Sequence, residues 1–250
     1  MKYALVTGGP RGIGRAICIK LAGMGYFVLI NYLSNEEEAN NTLNMVREAG
    51  GNGLLMKFDV ADRNLVESVL GRWQEEHQDQ YIEVLINNAG IRKDTLLMWM
   101  ENSHWHDVIN TNLSGFFYVT RFILKNMLIN KNGRIVNVVS LSGIKGLPGQ
   151  VNYSAACAGL EGFTRALAME LGPYNINVNC IAPDFIDTEM TRVAARREGM
   201  YLNDLKRFVT AEIPLRRLGT PADVANVALF LVSEESSFVS GQILYVRGGP

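Results

Sequence analysis

Seven short runs of apolar and β-branched residues, separated by longer segments with helical periodicity, constrain the fold of this chain most. The runs are Tyr3 to Val6, Phe27 to Asn31, Gly53 to Phe58, Val84 to Ile86, Arg134 to Val139, Asn177 to Ile181 and Ile243 to Val246. Most are continuously apolar rather than alternating, which indicates strands buried on both faces of a parallel sheet. The pattern predicts an α/β fold, a single Rossmann-type doubly wound parallel sheet of about seven strands flanked by helices.

The length and composition of the chain suit a single domain. It has 250 residues, of which 48% are hydrophobic, and no low-complexity segment or linker interrupts the alternation. We therefore predict one domain over residues 1–250, with ligands beyond the carboxyl ends of the strands. The segment from Asp184 to Pro214 lacks strand character and is interpreted as a mobile substrate lid.

Charge and targeting signals exclude several classes of partner. The formal net charge is -1, so no global basic field attracts nucleic acid or anionic lipid, although a local basic patch could receive an acidic partner. The first residues enter a strand pattern directly, and no apolar run approaches the roughly 20 residues of a membrane span. We predict a soluble cytoplasmic protein with no nucleic-acid partner and no membrane partner.

The cysteine and histidine positions argue against a disulfide framework or a metal site. Cys18, Cys157 and Cys180 are scattered without a C-x-x-C pair, which is typical of proteins in a reducing compartment. His104 and His106 are two residues apart and would point to different faces of a helix, which makes a poor metal pair. No metal is predicted.

A glycine-rich turn follows the first run and opens a helical pattern. It reads Thr7-Gly8-Gly9-Pro10-Arg11-Gly12-Ile13-Gly14. Glycines allow a tight turn and close backbone approach, and a helix N-terminus binds a pyrophosphate group. We interpret the turn as a dinucleotide site, and an ordinary strand-to-helix turn is the alternative. The predicted binding residues are Gly8, Gly9, Arg11, Gly12, Ile13 and Gly14.

The end of the second run indicates which dinucleotide binds. A carboxylate there would hold both ribose hydroxyls of NAD and repel the 2′-phosphate of NADP. The run ends Ile30-Asn31-Tyr32-Leu33-Ser34, and no acid occurs before Glu36. We predict NADP(H), with Arg11 facing the 2′-phosphate and with Ser34 and Asn31 as neutral donors. The alternative for Arg11 is a solvated loop cation.

Further polar residues follow the third, fourth and fifth runs. Asp59-Val60 is placed to bind an adenine, although Asp59 could instead cap the next helix.

Later in the chain come Asn87-Asn88-Ala89-Gly90, Asn112, Ser140, Tyr153 and Pro183. Together with the glycine turn, this ordered set resembles the short-chain dehydrogenase/reductase family over essentially the whole chain. Residues 91–98, 149–153, 185–191 and 214–219 resemble the 3-oxoacyl-acyl-carrier-protein reductases of fatty acid biosynthesis.

The resemblance implies a site and an activity. Hydride addition to a ketone builds negative charge on its oxygen, which requires a proton donor and a second, polarising donor. By resemblance, Tyr153 is the proton donor, Ser140 polarises the carbonyl, and Asn112 belongs to the proton relay. The resemblance also assigns to the cofactor site Asn88, Ala89, Gly90, Pro183 and Ile186. The implied reaction is NADPH-dependent reduction of a 3-oxoacyl thioester to the 3-hydroxyacyl thioester.

One position departs from the family at its catalytic lysine. That lysine lies four residues after the tyrosine and makes its phenol more acidic, whereas Cys157 occupies the position here. A thiol carries no positive charge, so we expect a severe loss of turnover. Two interpretations of Cys157 stay open. It is either an engineered substitution in a working reductase or a residue of a natural subunit that binds NADP(H) without catalysis. A catalytic role for Cys157 itself lacks a neighbouring base.

Two further features allow two interpretations each. Asp184 stands where the family usually has glycine, and it either brings a carboxylate towards the nicotinamide or caps the first turn of the lid, which we favour. Met98, Trp99 and Met100 could contact an acyl chain. Apolar residues at such spacing more often belong to the core, which is the interpretation we adopt.

The implied partners follow from the implied substrate. An acyl group arriving on an acidic acyl carrier protein requires a basic patch near the site, for which Lys125, Lys131, Arg134 and Arg92 are candidates, or else solvated charges. The helix predicted from Val151 to Leu171 carries small residues that let another helix approach, which with the resemblance suggests a homotetramer. The rival functions are reduction of another ketone, in a sugar or polyketide, and the non-catalytic subunit.

Overall fold

Seven parallel strands form one sheet in the computed structural model, which describes residues 1–197, 207, 210, 211 and 213–249. The strands are β1 (Lys2–Val6), β2 (Tyr26–Tyr32), β3 (Asn52–Lys57), β4 (Ile82–Asn87), β5 (Gly133–Val138), β6 (Ile176–Pro183) and β7 (Ile243–Val246). Their order across the sheet is β3-β2-β1-β4-β5-β6-β7, and each neighbouring pair is parallel. The predicted fold class is confirmed.

Helices connect the strands. They are α1 (Gly12–Gly23), α2 (Glu36–Glu48), α3 (Arg63–Glu76), α4 (Asn102–Ile109), α5 (Gly115–Asn130), α6 (Ser142–Lys145), α7 (Val151–Leu171), α8 (Glu189–Arg197) and α9 (Pro221–Val232). None of these helices has the length and apolar character needed to cross a membrane. Of the expected lid, residues 198–206, 208, 209 and 212 lie outside the described residues.

The core lies on both faces of the sheet, as the continuously apolar strands predict. Because side chains alternate along a strand, β1 directs Ala4 and Val6 to one face and Tyr3 and Leu5 to the other. The first face is covered by α1, α2 and α9, and the second by α3, α5 and α7. Burial of one such aliphatic side chain contributes about 1.5–3 kcal/mol. The helices are thereby fixed, and the strand ends are left to form a site.

The strand order reverses between β1 and β4, so the loops that follow these two strands diverge and leave a crevice. The hydroxyl of Thr7, which follows β1, joins the two loops. Its Oγ1 accepts hydrogen bonds from the backbone N–H groups of Asn88 and Ala89 at 2.9 and 3.0 Å. The crevice therefore has one fixed wall made from two strand ends.

Candidate active site

The glycine turn after β1 exposes the start of α1. Arg11 is the N-cap residue of this helix, but its side chain makes no capping hydrogen bond, and the first turn contains no acid. Backbone N–H groups of a first helical turn need an acceptor, and the helix dipole favours an anion there. This end of α1 is therefore suited to a pyrophosphate group.

The glycines of the turn serve two different purposes. Gly8 and Gly12 have φ angles of +65° and +56°, a region that side chains disfavour. Gly9 and Gly14 are required for space, because a Cβ on Gly9 would lie 2.6 Å from Ile30 Cγ2, and one on Gly14 would lie 2.2 Å from the Gly8 carbonyl oxygen. Residues with side chains could not reproduce this turn without displacing the backbone.

Asn31 has a different role from the one expected. It is only 2% exposed, and its Oδ1 accepts a hydrogen bond from the Gly8 N–H at 3.2 Å. Its Nδ2 donates to the carbonyl oxygens of Met56 and Phe58 at 3.3 and 2.9 Å. Because the amide is committed to these three backbone groups, Asn31 holds the glycine turn against β3 instead of donating to a ribose phosphate.

Arg11 is held by the segment that follows β6. Its Nη1 donates to Glu189 Oε2 at 2.7 Å, and both side chains are more than half exposed. Ser34 is exposed beyond the end of β2, and the first turn of α2 carries Glu36, Glu37 and Glu38. Arg11 is the cation that the sequence predicts beside the 2′-phosphate of NADP(H), and in the structure the Glu189 carboxylate of α8 contacts it.

Asp59 and Val60 lie at the carboxyl end of β3. Asp59 Oδ1 accepts a hydrogen bond from the Ala61 N–H at 2.9 Å, which closes a local turn. Asp62 caps α3, accepting from the N–H groups of Asn64 and Leu65 at 2.9 and 3.1 Å, so the capping alternative for Asp59 is wrong. The Val60 side chain belongs to the core.

The loop after β4 is clamped from both sides. Asn88 Nδ2 donates to the carbonyl oxygens of Thr7 and Gly8 at 3.0 and 3.1 Å. On the other side, Asn112 makes a two-way contact with Ile91, accepting from its N–H and donating to its carbonyl oxygen, each at 2.9 Å. Asn112 lies in a π-helical turn between α4 and α5, a feature that is frequent at functional sites.

Ser140 and Tyr153 meet beside this loop. Ser140 follows β5, and its Oγ accepts from the Ser142 N–H at 3.2 Å. Tyr153 lies in the first turn of α7, with its phenol close to the Ser140 hydroxyl. Burial raises the pKa of the Tyr153 phenol above its ordinary value and Cys157 raises it further, while Arg92 and Ser140 act in the opposite direction. The arrangement therefore holds a neutral phenol next to a hydroxyl.

Cys157 lies one turn after Tyr153 on α7 and is 3% exposed. Its thiol packs in the apolar cluster that includes Phe116 and Leu160, close to Tyr153. Burial raises the pKa of the thiol to about 12, and the neighbouring Tyr153 hydroxyl only partly opposes this. The thiol is therefore neutral near pH 7, which argues against a thiolate nucleophile at this position.

Arg92 was not predicted to belong to this site. Its guanidinium carbon lies 5.7 Å from the centre of the Tyr153 ring, and the side chain forms an ion pair with Asp94. Arg92 therefore lies at the tyrosine, and its role in protein docking stays a prediction. Arg134, another docking candidate, is unsuitable because its side chain is buried and donates to the carbonyl oxygens of Gly133 and Asn175.

The residues after β6 complete the far side of the crevice. Pro183 ends β6, and the Ile186 side chain is buried against Gly219. The Asp184 carboxylate lies 3.9 Å from Lys145 Nζ. The expectation that Asp184 caps the first turn of the lid is wrong. The capping hydrogen bond at the start of α8 is made by Thr188, whose Oγ1 accepts from the Thr191 N–H at 3.4 Å.

Met98 and Trp99 lie in an exposed segment from Leu96 to Trp99, so their assignment to the core is wrong, while Met100 is half-buried. Met98 and Trp99 are 85% and 70% exposed, and Leu96 and Leu97 are also more than half exposed. The segment starts next to Gly149, because the Thr95 N–H donates to the Gly149 carbonyl oxygen at 2.8 Å. An apolar surface therefore begins beside the start of α7.

Comparison with known proteins gives consistent matches. A family model described as Enoyl-(Acyl carrier protein) reductase matches residues 8–250. The 3-oxoacyl-acyl-carrier-protein reductase FabG of Staphylococcus epidermidis is 39% identical over 250 residues, covering 99% of this chain and 98% of that protein. FabG of Chlamydia trachomatis is 41% identical over 249 residues, covering 99% and 96%. A solved structure, a putative gluconate dehydrogenase from Agrobacterium tumefaciens, aligns with a TM-score of 0.91 at 32% identity, covering 99% and 94%.

Proposed function

This chain belongs to the short-chain dehydrogenase/reductase family, and on that premise we propose that it reduces a 3-oxoacyl thioester to the 3-hydroxyacyl thioester with NADPH, in fatty acid or related biosynthesis. The acyl group would be carried by an acyl carrier protein. The observation that carries the proposal is that Ser140, after β5, and Tyr153, in the first turn of α7, come together at the carboxyl edge of the sheet, the same edge at which the uncapped start of α1 lies.

Each residue of this group has a defined task in the proposed reaction. Ser140 donates a hydrogen bond to the substrate carbonyl, and Tyr153 transfers its hydroxyl proton to the carbonyl oxygen as negative charge develops there. The resulting phenolate regains a proton from solvent. Asn112 fixes the Ile91 backbone beside the tyrosine, which keeps the reacting groups in register.

The crevice residues fit a dinucleotide. The uncapped start of α1 would hold the pyrophosphate, the loop from Asn88 to Gly90 would border the nicotinamide ribose, and Asp59 would contact the adenine. Arg11 and Ser34 would hold the 2′-phosphate, which a strand end without a carboxylate admits. When bound, the cofactor supplies the hydride that reduces the ketone.

Slow turnover is part of the proposal. A phenol whose pKa is raised is a poor proton donor near pH 7, and the buried neutral thiol of Cys157 supplies no positive charge to stabilise the phenolate. The reaction then proceeds at a rate limited by proton donation. If Tyr153 donates no proton at all, the chain binds the cofactor without catalysing the reaction.

The proposed partner and assembly rest on surface features. Lys125 and Lys131 are exposed and can attract an acidic carrier protein. The proposed homotetramer is supported by exposed apolar side chains on α5 and α7, where Phe117 and Met169 are 42% and 83% exposed. Residues 184–214 are proposed to cover the substrate.

The proposed reaction is tested by incubating the chain with acetoacetyl-acyl-carrier protein and NADPH. We expect NADPH to be consumed and the acyl group to gain two hydrogens in the mass spectrum of its pantetheine arm. Replacement Tyr153→Phe, which keeps the ring and removes the proton donor, should leave only background reduction. If neither this chain nor its Cys157→Lys variant reduces the thioester while both bind NADPH, another ketone or a non-catalytic role must replace the proposal.

The cofactor preference can be tested at the ion pair between Arg11 and Glu189. Because Arg11 would bind the 2′-phosphate, we expect Arg11→Gln to raise the dissociation constant for NADPH about 10-fold and to leave that for NADH unchanged. Glu189→Gln should release Arg11 and tighten NADPH binding about 3-fold, since exposed ion pairs are weak. Fluorescence titration measures both constants. If Arg11→Gln changed the dissociation constants for NADPH and NADH equally, Arg11 would contact a part of the cofactor that both molecules share.

A further inference from the structure

The guanidinium of Arg92 faces the proton donor of the proposed reaction. Its central carbon lies 5.7 Å from the centre of the Tyr153 ring, within the range of cation–π contact. The side chain is about one-fifth exposed, so water screens this contact less than one at the surface. A cation held at the face of a phenol attracts the neutral ring weakly and the phenolate strongly.

Arg92 is held in this orientation by its ion pair with Asp94, and further contacts fix Asp94 and Ile91 in turn. Its Nε and Nη2 donate to the two carboxylate oxygens of Asp94, an arrangement that fixes the plane of the guanidinium. The Asp94 carboxylate also accepts from Gln150 Nε2 at 3.2 Å, which ties it to the residue before α7. On the other side, Asn112 fixes the backbone of Ile91, the preceding residue.

The other charged and titratable groups that the structure describes around Tyr153 do not supply a cation. Cys157, on the same helix, is a neutral thiol, and Ser140, at the end of β5, is an uncharged donor. Lys93, next to Arg92, pairs with Asp107 of α4, and Lys145 of α6 faces Asp184. Among the side chains that the structure describes, Arg92 is the cation whose charge opposes the effect of burial on Tyr153.

We propose that Arg92 is a positioning residue that partly replaces the missing lysine, stabilising the phenolate that forms when Tyr153 gives up its proton. The proposal rests on the proposed function, because it gives Tyr153 the role of proton donor. The attraction is greater after proton transfer than before it, so it lowers the barrier rather than merely binding the ground state. Since Asp94 neutralises part of the charge, the replacement is incomplete and turnover stays below that of a chain with lysine at position 157.

A double-mutant cycle separates this role from a purely structural one. Four proteins are compared, the chain as given, Arg92→Met, Cys157→Lys and the double variant, each checked for its melting temperature and NADPH affinity. We expect Arg92→Met to lower kcat about 10-fold with Cys157 present and less than about 3-fold with lysine there, because a nearby opposite charge shifts a pKa by roughly one unit or more. A fifth variant, Arg92→Lys, keeps the positive charge and should retain most of the kcat that Arg92→Met loses. If Arg92→Met lowered kcat equally with cysteine and with lysine at position 157, the proposal would be overturned. It would also be overturned if Cys157→Lys were active while the chain as given showed no turnover.

A second readout does not depend on the substrate. A ring-fluorinated tyrosine at position 153 is more acidic than tyrosine, so its titration falls within the pH range of the folded protein and is followed by phenolate absorbance. Removal of Arg92 should raise the pKa of this residue by about one unit, whereas Lys93→Met, which removes the adjacent cation, should leave it unchanged. An unchanged titration in Arg92→Met overturns the proposal. If the shift appears but no 3-oxoacyl thioester is reduced by any variant, the Arg92 contact stands and the proposed substrate fails.

Discussion

Replacement of Cys157 by lysine is expected to raise kcat for acetoacetyl-acyl-carrier protein about 100-fold, the lower end of the contribution of general acid catalysis. The side chain begins one helical turn after Tyr153, so a four-carbon stem can run along α7 and bring an ammonium group to the phenol. The positive charge lowers the pKa of Tyr153, in opposition to burial and to the thiol. Steady-state kinetics at saturating NADPH measure the change.

Two matched replacements at position 157 serve as controls. Cys157→Met extends the side chain without adding charge, and Cys157→Ala removes the thiol that lies beside Tyr153. Neither should raise kcat more than about 3-fold, because neither supplies a cation. If Cys157→Met matched Cys157→Lys, side-chain length and packing, and not charge, would limit turnover in this chain.

Replacement of Gly14 by alanine is expected to weaken NADPH binding about 100-fold, which corresponds to about 2.8 kcal/mol of binding free energy. The added Cβ would lie 2.2 Å from the Gly8 carbonyl oxygen and 2.7 Å from Asn88 Nδ2, so the turn must move. Movement of the turn displaces the first N–H groups of α1, which are the proposed pyrophosphate donors. The same overpacking should lower the free energy of unfolding by about 3 kcal/mol.

The control for this replacement is Gly71→Ala, in the middle of α3. A Cβ there would meet only Phe122 Cζ, at an ordinary contact distance of 3.9 Å. Alanine favours a helix over glycine, so the variant should gain about 0.5–1 kcal/mol and bind NADPH normally. Calorimetry and denaturant unfolding measure both variants. A Gly14→Ala protein with normal stability and affinity would show that the turn accommodates a methyl group and that Gly14 is not required for space.

The fold was predictable because it depends on burial, which the local pattern of apolar residues reports. The seven runs correspond to the seven strands, and the last, Ile243–Val246, has the same bounds in the sequence and the structure. Helix α7 also begins and ends at the expected residues, Val151 and Leu171. Of the other strands, β3 and β5 begin and end one residue earlier than predicted, and β1, β2, β4 and β6 are one to three residues longer, which lies within ordinary variation at element ends.

The direction and partners of polar side chains were less predictable. The sequence correctly put Asn31 at the end of β2 but could not reveal that its amide would face Gly8 and β3. It showed a positive charge at Arg92 without indicating that the Asp94 carboxylate would turn it towards Tyr153. Such contacts depend on tertiary neighbours. A cation shortly after the Asn88-Ala89-Gly90 loop, in a chain without the expected lysine, was the available signal.

The bridge made by Thr7 joins residues that are 81 and 82 positions apart in the chain. During synthesis, the glycine turn emerges from the ribosome early, yet its partner loop follows only after β2, β3 and β4 have been made. Contacts of this sequence separation close slowly, because the intervening chain must be ordered first. Nucleotide capture by a nascent chain would therefore have to wait until β4 had joined β1, and a fragment ending before Asn88 would contain the complete glycine motif but lack the opposing loop.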